Sequence, residues 1–245
     1  MGLKREDCTL DGFLGGRLTI AQPKSGFRAG HDSVLLAAAV RTEPGQKILE
    51  FGAGAGVASL CLATRADGIE LLGIEIDRDL VELANENAAR NGLTERVRFE
   101  AGDVTGMAAS SERFAHVFFN PPFHPASGRE SPSAARERAK RDPASAIRDW
   151  TRVALALVPS GGMVTAIVRA DRAGEMLDAS EGSRSVTFPL FPRAGVTPKR
   201  AIVQITKGSS EAARTAAGLV LHDEKGRNTE RAEAVLRYAA GLNLV

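Results

Sequence analysis

From Lys47 onward, short apolar runs alternate with helical patterns: "KILEF", "VASLCLATRA", "ELLGIEI", "RDLVELANENAARNG", "VRFEAGD" and "FAHVFFN" follow one another in order. Two strands that run the same way need a crossover between them, usually a helix. The alternation therefore predicts βαβ units and a parallel sheet with helices on both faces. The second helix carries the clearest period: Leu80, Leu83, Ala84 and Asn87 share a face, and Asn91-Gly92 supplies the stop. "PASAIRDWTRVALALV" reads as a further helix and "GGMVTAIVRA" as a further strand. "SVTFPLF" and "KRAIVQITKG" are separated by only seven residues, too few for a crossover, which predicts an antiparallel hairpin closing the sheet. The tail from Ala217 reads as a strand, a turn at Glu224 to Gly226, and a last helix with Ala232, Val235, Leu236 and Ala239 facing inward.

A chain of 245 residues holds one such domain with a small extension, not two full domains. The extension lies in front. "CTLDGFL" and "RLTIAQ" flank Gly15-Gly16 as a β-hairpin, and "HDSVLLAAAVR" reads as a short helix with Asp32 as its N-cap. We therefore expect a hairpin-and-helix extension over residues 1–44 and the main domain over residues 45–245.

With 43% hydrophobic and 25% charged residues, the chain has the composition of a folded globular protein. Its longest apolar run, "VLLAAAV", falls far short of the roughly 18 residues of a membrane span. "MGLKREDCTLDG" has no apolar signal region, and Glu6 stands where a myristoylation signal wants Ser or Thr. The expectation is a cytoplasmic protein with no membrane partner. Cys8 and Cys61 are too few for a disulfide framework or a zinc cage, so no metal is expected, and Cys61 reads as a small core residue. A net charge of +2 announces no nucleic-acid partner, but the charge is unevenly spread. From Ser183 to Ser210 there are five basic residues (Arg184, Arg193, Lys199, Arg200, Lys207) and no acidic ones, interleaved with Phe188 and Phe191. That stretch fits either a charged sheet edge or a phosphate contact. The segment "HPASGRESPSAARERAKRDP", rich in Ser, Pro and Arg, fits either a substrate flap or a surface segment.

Three strand ends present groups suited to a nucleotide. After the first, "LEFGAGAG" carries Glu50, then Gly52, Ala53 and Gly54, with Gly56 opening the next helix; such a corner turns tightly and admits a ligand to its backbone. Glu75 ends the next strand, twenty-three residues beyond Gly52, where a carboxylate can accept from both ribose hydroxyls, and Ile76 follows it. Asp103 and Val104 follow "FEAG", placed to meet an adenine ring. Singly each has a bland reading as a tight turn, a solvated acid or a turn-forming Asp; together they converge on the crevice above the carboxyl ends of the strands. A dinucleotide fingerprint would need glycine at position 57, which is Val57.

The fourth strand ends in "NPPF", Asn120 to Phe123. An aryl amine or amide nitrogen is a poor nucleophile because its lone pair is delocalised, and it must be pyramidalised before it attacks a methyl group. The side-chain oxygen of Asn120 and the backbone oxygen of Pro121 are two acceptors for its two hydrogens. Pro121 and Pro122 stiffen the corner, and Phe123 offers a face on which a flipped base can lie. His124 is incidental on this reading.

The Gly-x-Gly-x-Gly spacing with Glu50 before it resembles class I methyltransferases that bind S-adenosylmethionine, and "NPPF" resembles the Asn/Asp-Pro-Pro-aromatic motif of those acting on planar amines. "AQPKSGFRAGHDSVLLAAAV" is similar to the N-terminal signature of the bacterial tRNA(Val) adenine methyltransferases. The likeness runs from about residue 10 to residue 170, with "AKRD", Asp142 included, standing for that family's later element, and the ending "LVLHDEKGRNTERAEAVLR" is similar too. The resemblance implies a Rossmann-like, seven-stranded, mostly parallel methyltransferase sheet with an antiparallel C-terminal hairpin. It implies S-adenosylmethionine as cofactor, an RNA substrate, and adenine in a tRNA anticodon loop as the leading target. It also implies that Asp32 leans over the cofactor. "NPPFH" is the form associated with guanine-modifying ribosomal RNA enzymes, which leaves guanine open. A protein glutamine methyltransferase is disfavoured by the basic stretch, a dehydrogenase by Val57 and "NPPF", and a non-catalytic RNA-binding relative by the intact Asn120.

Overall fold

The computed structural model describes residues 5–26, 28–122, 146–180, 183–209 and 211–244. Strands β1 (Cys8–Phe13) and β2 (Leu18–Pro23) pair antiparallel as a two-stranded sheet. Helix α1 (His31–Ala39) follows. The main alternation then runs β3 (Lys47–Phe51), α2 (Val57–Arg65), β4 (Glu70–Glu75), α3 (Arg78–Arg90), β5 (Val97–Ala101), β6 (His116–Phe119), α4 (Ala146–Leu157) and β7 (Met163–Arg169). Beyond these come α5 (Ala173–Asp178), β8 (Arg184–Phe191), β9 (Arg200–Thr206), β10 (Arg214–Thr215), β11 (Leu219–Val220) and α6 (Glu230–Tyr238).

The large sheet has the order β10-β8-β9-β7-β6-β3-β4-β5, with β11 also on β8. Strands β3 to β7 are parallel, and β9 is inserted antiparallel between β7 and β8, so the expected closing hairpin is present. Seven strands carry the sheet as expected. The two additions, β10 and β11, are two residues each and lie parallel to β8.

Successive side chains on a strand point to opposite faces, and the core is split accordingly. Ile48 and Phe118 bury on the face covered by α1, α2, α3 and α6, while Leu49, Phe51, Val117 and Phe119 bury on the face covered by α4 and α5. Cys61 is buried in the first of these layers, as expected, and burial pushes its thiol pKa up. Among the described residues no helix is long and apolar enough to cross a membrane.

Two details correct the sequence reading. Helix α1 starts at His31 with Gly30 as its N-cap, so Asp32 sits inside the first turn instead of capping it. Its carboxylate pairs with Arg200 at 3.0 Å. Asn87, placed with apolar neighbours on the inner face of α3, is fully buried for a polar reason. Its Oδ1 accepts from the Ala21 N–H at 2.8 Å, and its Nδ2 donates to the carbonyls of Ala21 (2.9 Å) and Ala55 (3.0 Å). One helical turn on, Asn91 makes the same pair of bonds to Thr19 at 3.0 and 2.9 Å. Residues four apart on a helix share a face and residues two apart on a strand share an edge, so the two amides act as a substitute strand and dock β2 onto α3.

Candidate active site

Strands β3, β4, β5 and β6 all end at one edge of the sheet, which brings Glu50, Glu75, Asp103 and Asn120 to the same crevice. The three glycines after β3 prove to have three different jobs. Gly52 has φ +64°, and a Cβ there would meet the Trp150 ring at 2.8 Å. Gly56 has φ +84°, and a Cβ would meet the Phe99 ring at 2.6 Å. Only Gly54, φ +56°, has nothing within 4 Å of such a Cβ and leaves open space for a ligand against its backbone. Phe99 also packs against Gly73, where a Cβ would clash with its ring. Two aromatic side chains, Phe99 from one core layer and Trp150 beside the other, thus buttress the corner, and only glycine leaves room for them.

Glu75 is nearly buried, and each of its oxygens already holds one backbone donor: Oε2 accepts from Gly54 N–H at 2.9 Å and Oε1 from Asp77 N–H at 3.0 Å. A carboxylate oxygen has two lone-pair sites, so one on each oxygen stays open while the plane of the group is fixed. Glu50, 3% exposed, accepts from both the backbone N–H and the hydroxyl of Ser59. Burial raises its pKa to about 8, the neighbouring Glu75 charge adds to the rise, and the Ser59 bonds partly oppose it. Ile76 is exposed and Val104 buried; Asp103 caps a 3-10 turn, accepting from the N–H and hydroxyl of Thr105, both at 2.9 Å.

At the end of β6, Asn120 Oδ1 is buried and has no hydrogen-bond partner among the described residues. Pro121 is buried and Pro122 exposed. Phe123, His124, Asp142 and the whole arginine-rich segment lie outside the described residues. Phe119, one residue before Asn120, packs edge-on against Trp150 with ring centroids 5.7 Å apart, and Phe51, one residue before Gly52, does the same at 6.1 Å. Trp150 therefore wedges between the two strand ends that carry the glycine corner and the Asn-Pro-Pro corner.

A cleft of about 440 Å³, open solvent included, is lined by Glu50, Gly54 and Asn120 on one side and Gln22, Ala29 and Ser33 on the other, while Glu75, Ile76, Asp103, Val104 and Pro121 lie outside its lining. Asp32 is not among its lining residues. Sequence reasoning did not single out that second wall, though its residues lie within the quoted signature. Gln22, 2% exposed, holds it in shape: Oε1 accepts from Ala29 N–H at 2.8 Å, and Nε2 donates to Ala29 O at 3.2 Å and to Asp11 Oδ2 at 2.8 Å. Arg28 pairs with the same Asp11 carboxylate at 2.6 Å and donates to the Pro23 carbonyl at 2.7 Å. The Gln-Pro and Arg of the signature are thus the ties of one turn. The groups present suit a nucleoside-bearing cofactor: the cleft offers open backbone at Gly54, and Glu75, bonded to the Gly54 N–H, holds oriented carboxylate lone pairs next to it.

Comparison with known proteins agrees with this chemistry. A family model, the methyltransferase small domain, matches residues 27–140. A tRNA1(Val) (adenine(37)-N6)-methyltransferase from Actinobacillus succinogenes is 27% identical over 222 residues, covering 89% of this chain and 92% of that protein. A protein of the same name from Porphyromonas gingivalis is 31% identical over 170 residues, 66% of each. Among solved structures, a predicted O-methyltransferase from Agrobacterium tumefaciens shares the fold with a TM-score of 0.72 at 24% identity, over 86% of this chain and 98% of that one. Fold likeness at that identity does not say which atom receives the methyl group. Matched domain, sheet order and relatives together make the chain a class I S-adenosylmethionine-dependent methyltransferase of the kind that carries the methyltransferase small domain.

Proposed function

We propose that the protein transfers a methyl group from S-adenosylmethionine to the exocyclic amine of a nucleobase in RNA, with adenine in a tRNA anticodon loop as the leading substrate. What supports this most is the oxygen of Asn120, buried and without a hydrogen-bond partner among the described residues. Leaving a buried acceptor unsatisfied costs about 1–3 kcal/mol, a penalty that vanishes when a donor arrives. An amine N–H is such a donor, and the relatives named above are named for an adenine N6 position.

When bound, S-adenosylmethionine supplies a methyl group on a positively charged sulfur. The chain's own residues hold and orient. Glu75 takes the ribose hydroxyls on its two open lone pairs, Asp103 and Val104 meet the adenine edge, and Ile76 lies against its ring. Gly52, Ala53 and Gly54 receive the amino-acid end under Glu50, with Asp32 and the first turn of α1 above. Asn120 Oδ1 and the Pro121 carbonyl accept the two amine hydrogens, Pro122 stiffens the corner, and Phe123 supports the base. Orientation of this kind is worth about 7–11 kcal/mol of barrier without a metal or a strong base. In this reading residues 1–44 are an extension that forms the second wall of the cleft over a methyltransferase domain of residues 45–245, and the protein works in the cytoplasm where tRNA is found.

The test is incubation with labelled cofactor and total bacterial RNA, then digestion to nucleosides. Label in N6-methyladenosine from tRNA is the expected result. Label in N2-methylguanosine from ribosomal RNA would move the target to guanine, as the Phe-His following the two prolines allows. Absence of label from every nucleoside, with label instead in glutamine when a bacterial protein extract replaces the RNA, would overturn the reading.

A further inference from the structure

The basic stretch between Ser183 and Ser210 is one run in sequence but two groups in space. β8 and β9 are antiparallel, with Arg184 opposite Thr206 at one end and Leu190 opposite Arg200 at the other. Arg184 and Lys207 therefore sit at the amino edge of the sheet, away from the cleft, and both are engaged. Arg184 pairs with Glu211 at 2.8 Å, and Lys207 Nζ donates to the Leu155 and Val158 carbonyls at 2.7 and 2.8 Å, closing the carboxyl end of α4. Arg193, Lys199 and Arg200 sit at the opposite edge, the one that carries Asn120.

There they meet a fourth cation. Phe119 of β6 is level with Ala166 of β7, and Arg169, at the end of β7, is level with Arg200 of β9. With strands spaced about 4.8 Å apart, Arg200 lies roughly 10 Å sideways from the Asn120 strand, and the base of the β8–β9 loop roughly 14 Å. Three acids near this rim are matched, Asp171 to Arg169 at 2.6 Å, Asp32 to Arg200 at 3.0 Å and Asp223 to Arg227 at 2.9 Å, and Glu224 is exposed on the turn beside Arg193. Arg193 and Lys199 are exposed and form no ion pair with the described residues, and Val196 between them is 43% exposed. A turn closed by Val196 N–H to Arg193 O at 3.2 Å shapes the loop, and His222 N–H to Pro192 O at 3.1 Å anchors its base.

We propose that this rim, Arg193 and Lys199 on the β8–β9 loop with Arg169 and Arg200 at the strand ends below it, is the surface along which the phosphate backbone of the RNA substrate runs toward Asn120. The inference rests on the RNA reading above and adds to it where the RNA lies. Two unmatched cations and an apolar side chain on a projecting loop, a few nucleotides' reach from the amine-binding corner, suit a phosphodiester strand. The loop's described fold contacts run through the backbone atoms of Arg193, Pro192 and Lys199 and not through the two cationic side chains, so these can be reversed without disturbing the core.

The test is fluorescence anisotropy of end-labelled bacterial tRNA with the full chain across a salt series, comparing wild type with the double variant Arg193→Glu/Lys199→Glu. Expected are at least a tenfold loss of affinity and a salt slope shallower by about 1.4–1.8, at 0.7–0.9 per lost phosphate contact. Cofactor affinity and melting temperature should stay unchanged. Arg113→Glu, at the amino edge of the sheet, should change none of these, and an equal loss there would reduce the effect to overall charge and overturn the surface. Wild-type affinity and slope in the double variant would also overturn it, while the nucleoside digest still stood. Wild-type protein that methylates no RNA would instead sink the RNA reading, and one that also fails to bind tRNA would remove the surface with it.

Discussion

Glu75 ends β4 and Asn120 follows β6, the two strands that flank β3, yet their oxygens are treated in opposite ways. Both Glu75 oxygens are held by backbone donors from Gly54 and Asp77. The Asn120 oxygen is buried with none among the described residues. The cofactor side of the cleft is therefore complete as a folded structure, whereas the acceptor side holds an unmet hydrogen bond. A group satisfied within the fold selects by adding further bonds to a rigid frame. A group left unsatisfied selects by accepting only what can donate, because any other occupant leaves the desolvation penalty in place.

The largest effect that could break this contrast is at Asn120. Asn120→Ala should cut methyl transfer at least a hundredfold, about 2.7 kcal/mol of barrier, with cofactor affinity unchanged by calorimetry. Because the oxygen it removes has no partner among the described residues, the melting temperature should hold or rise. Turnover surviving within about tenfold would show that the oxygen does not grip the amine.

Glu75→Ala should act on the other side of the contrast and more moderately. Loss of charge-assisted hydrogen bonds predicts about 1.5–3 kcal/mol, or roughly ten- to a hundredfold weaker cofactor binding. The variant should also melt earlier, since the Gly54 and Asp77 N–H groups lose their acceptor. Unchanged calorimetric affinity would remove Glu75 from the ribose and leave it a loop support only.

How much of this was legible beforehand follows from the range of the interactions. The alternation from Lys47 to Phe119 is a local pattern, and it was enough for the sheet and its flanking helices. Helix α5, six residues long, and strand β10, two residues long, are too short to show a period, and the fold adds them without a sequence signal, whereas β11 falls in the strand read in the tail from Ala217. The glycine corner was legible as a corner but not as a division of labour, because Trp150 lies ninety-eight residues from Gly52, and Phe99 forty-three from Gly56. His116 was read as part of an apolar strand, yet it is buried between the Arg41 carbonyl (3.1 Å) and the Thr165 hydroxyl (2.8 Å), which Gln204 also reaches. One His, one Thr and one Gln on β6, β7 and β9 have no spacing to recognise; only sheet order brings them together.

A last effect concerns the pH dependence set by Glu50, the other acid that the cofactor side satisfies internally, and it runs opposite to that of His116. Glu50 titrates near 8 in the fold against an ordinary value of 4.5, so between these values the folded chain keeps a proton that the unfolded chain has released. Stability from this group is full below about 4.5 and is lost as pH rises toward 8. His116 is shifted the other way by burial, to about 4 from an ordinary 6.5, so its contribution is full above 6.5 and is lost as pH falls toward 4. Between 4.5 and 6.5 the two slopes oppose and cancel; between 6.5 and 8 only Glu50 acts, at about 1.4 kcal/mol lost per pH unit. Glu50→Gln keeps an acceptor for Ser59 and a neutral donor where the acid carries its proton. Denaturant midpoints of wild type and variant should therefore diverge from pH 4.5 to 8: between 4.5 and 6.5 the variant rises with His116 while wild type is flat, and between 6.5 and 8 wild type falls while the variant is flat. Parallel curves over that window would mean that Glu50 is already ionised at neutrality, and that the cofactor side also holds a charge awaiting a partner, which would dissolve the contrast with Asn120.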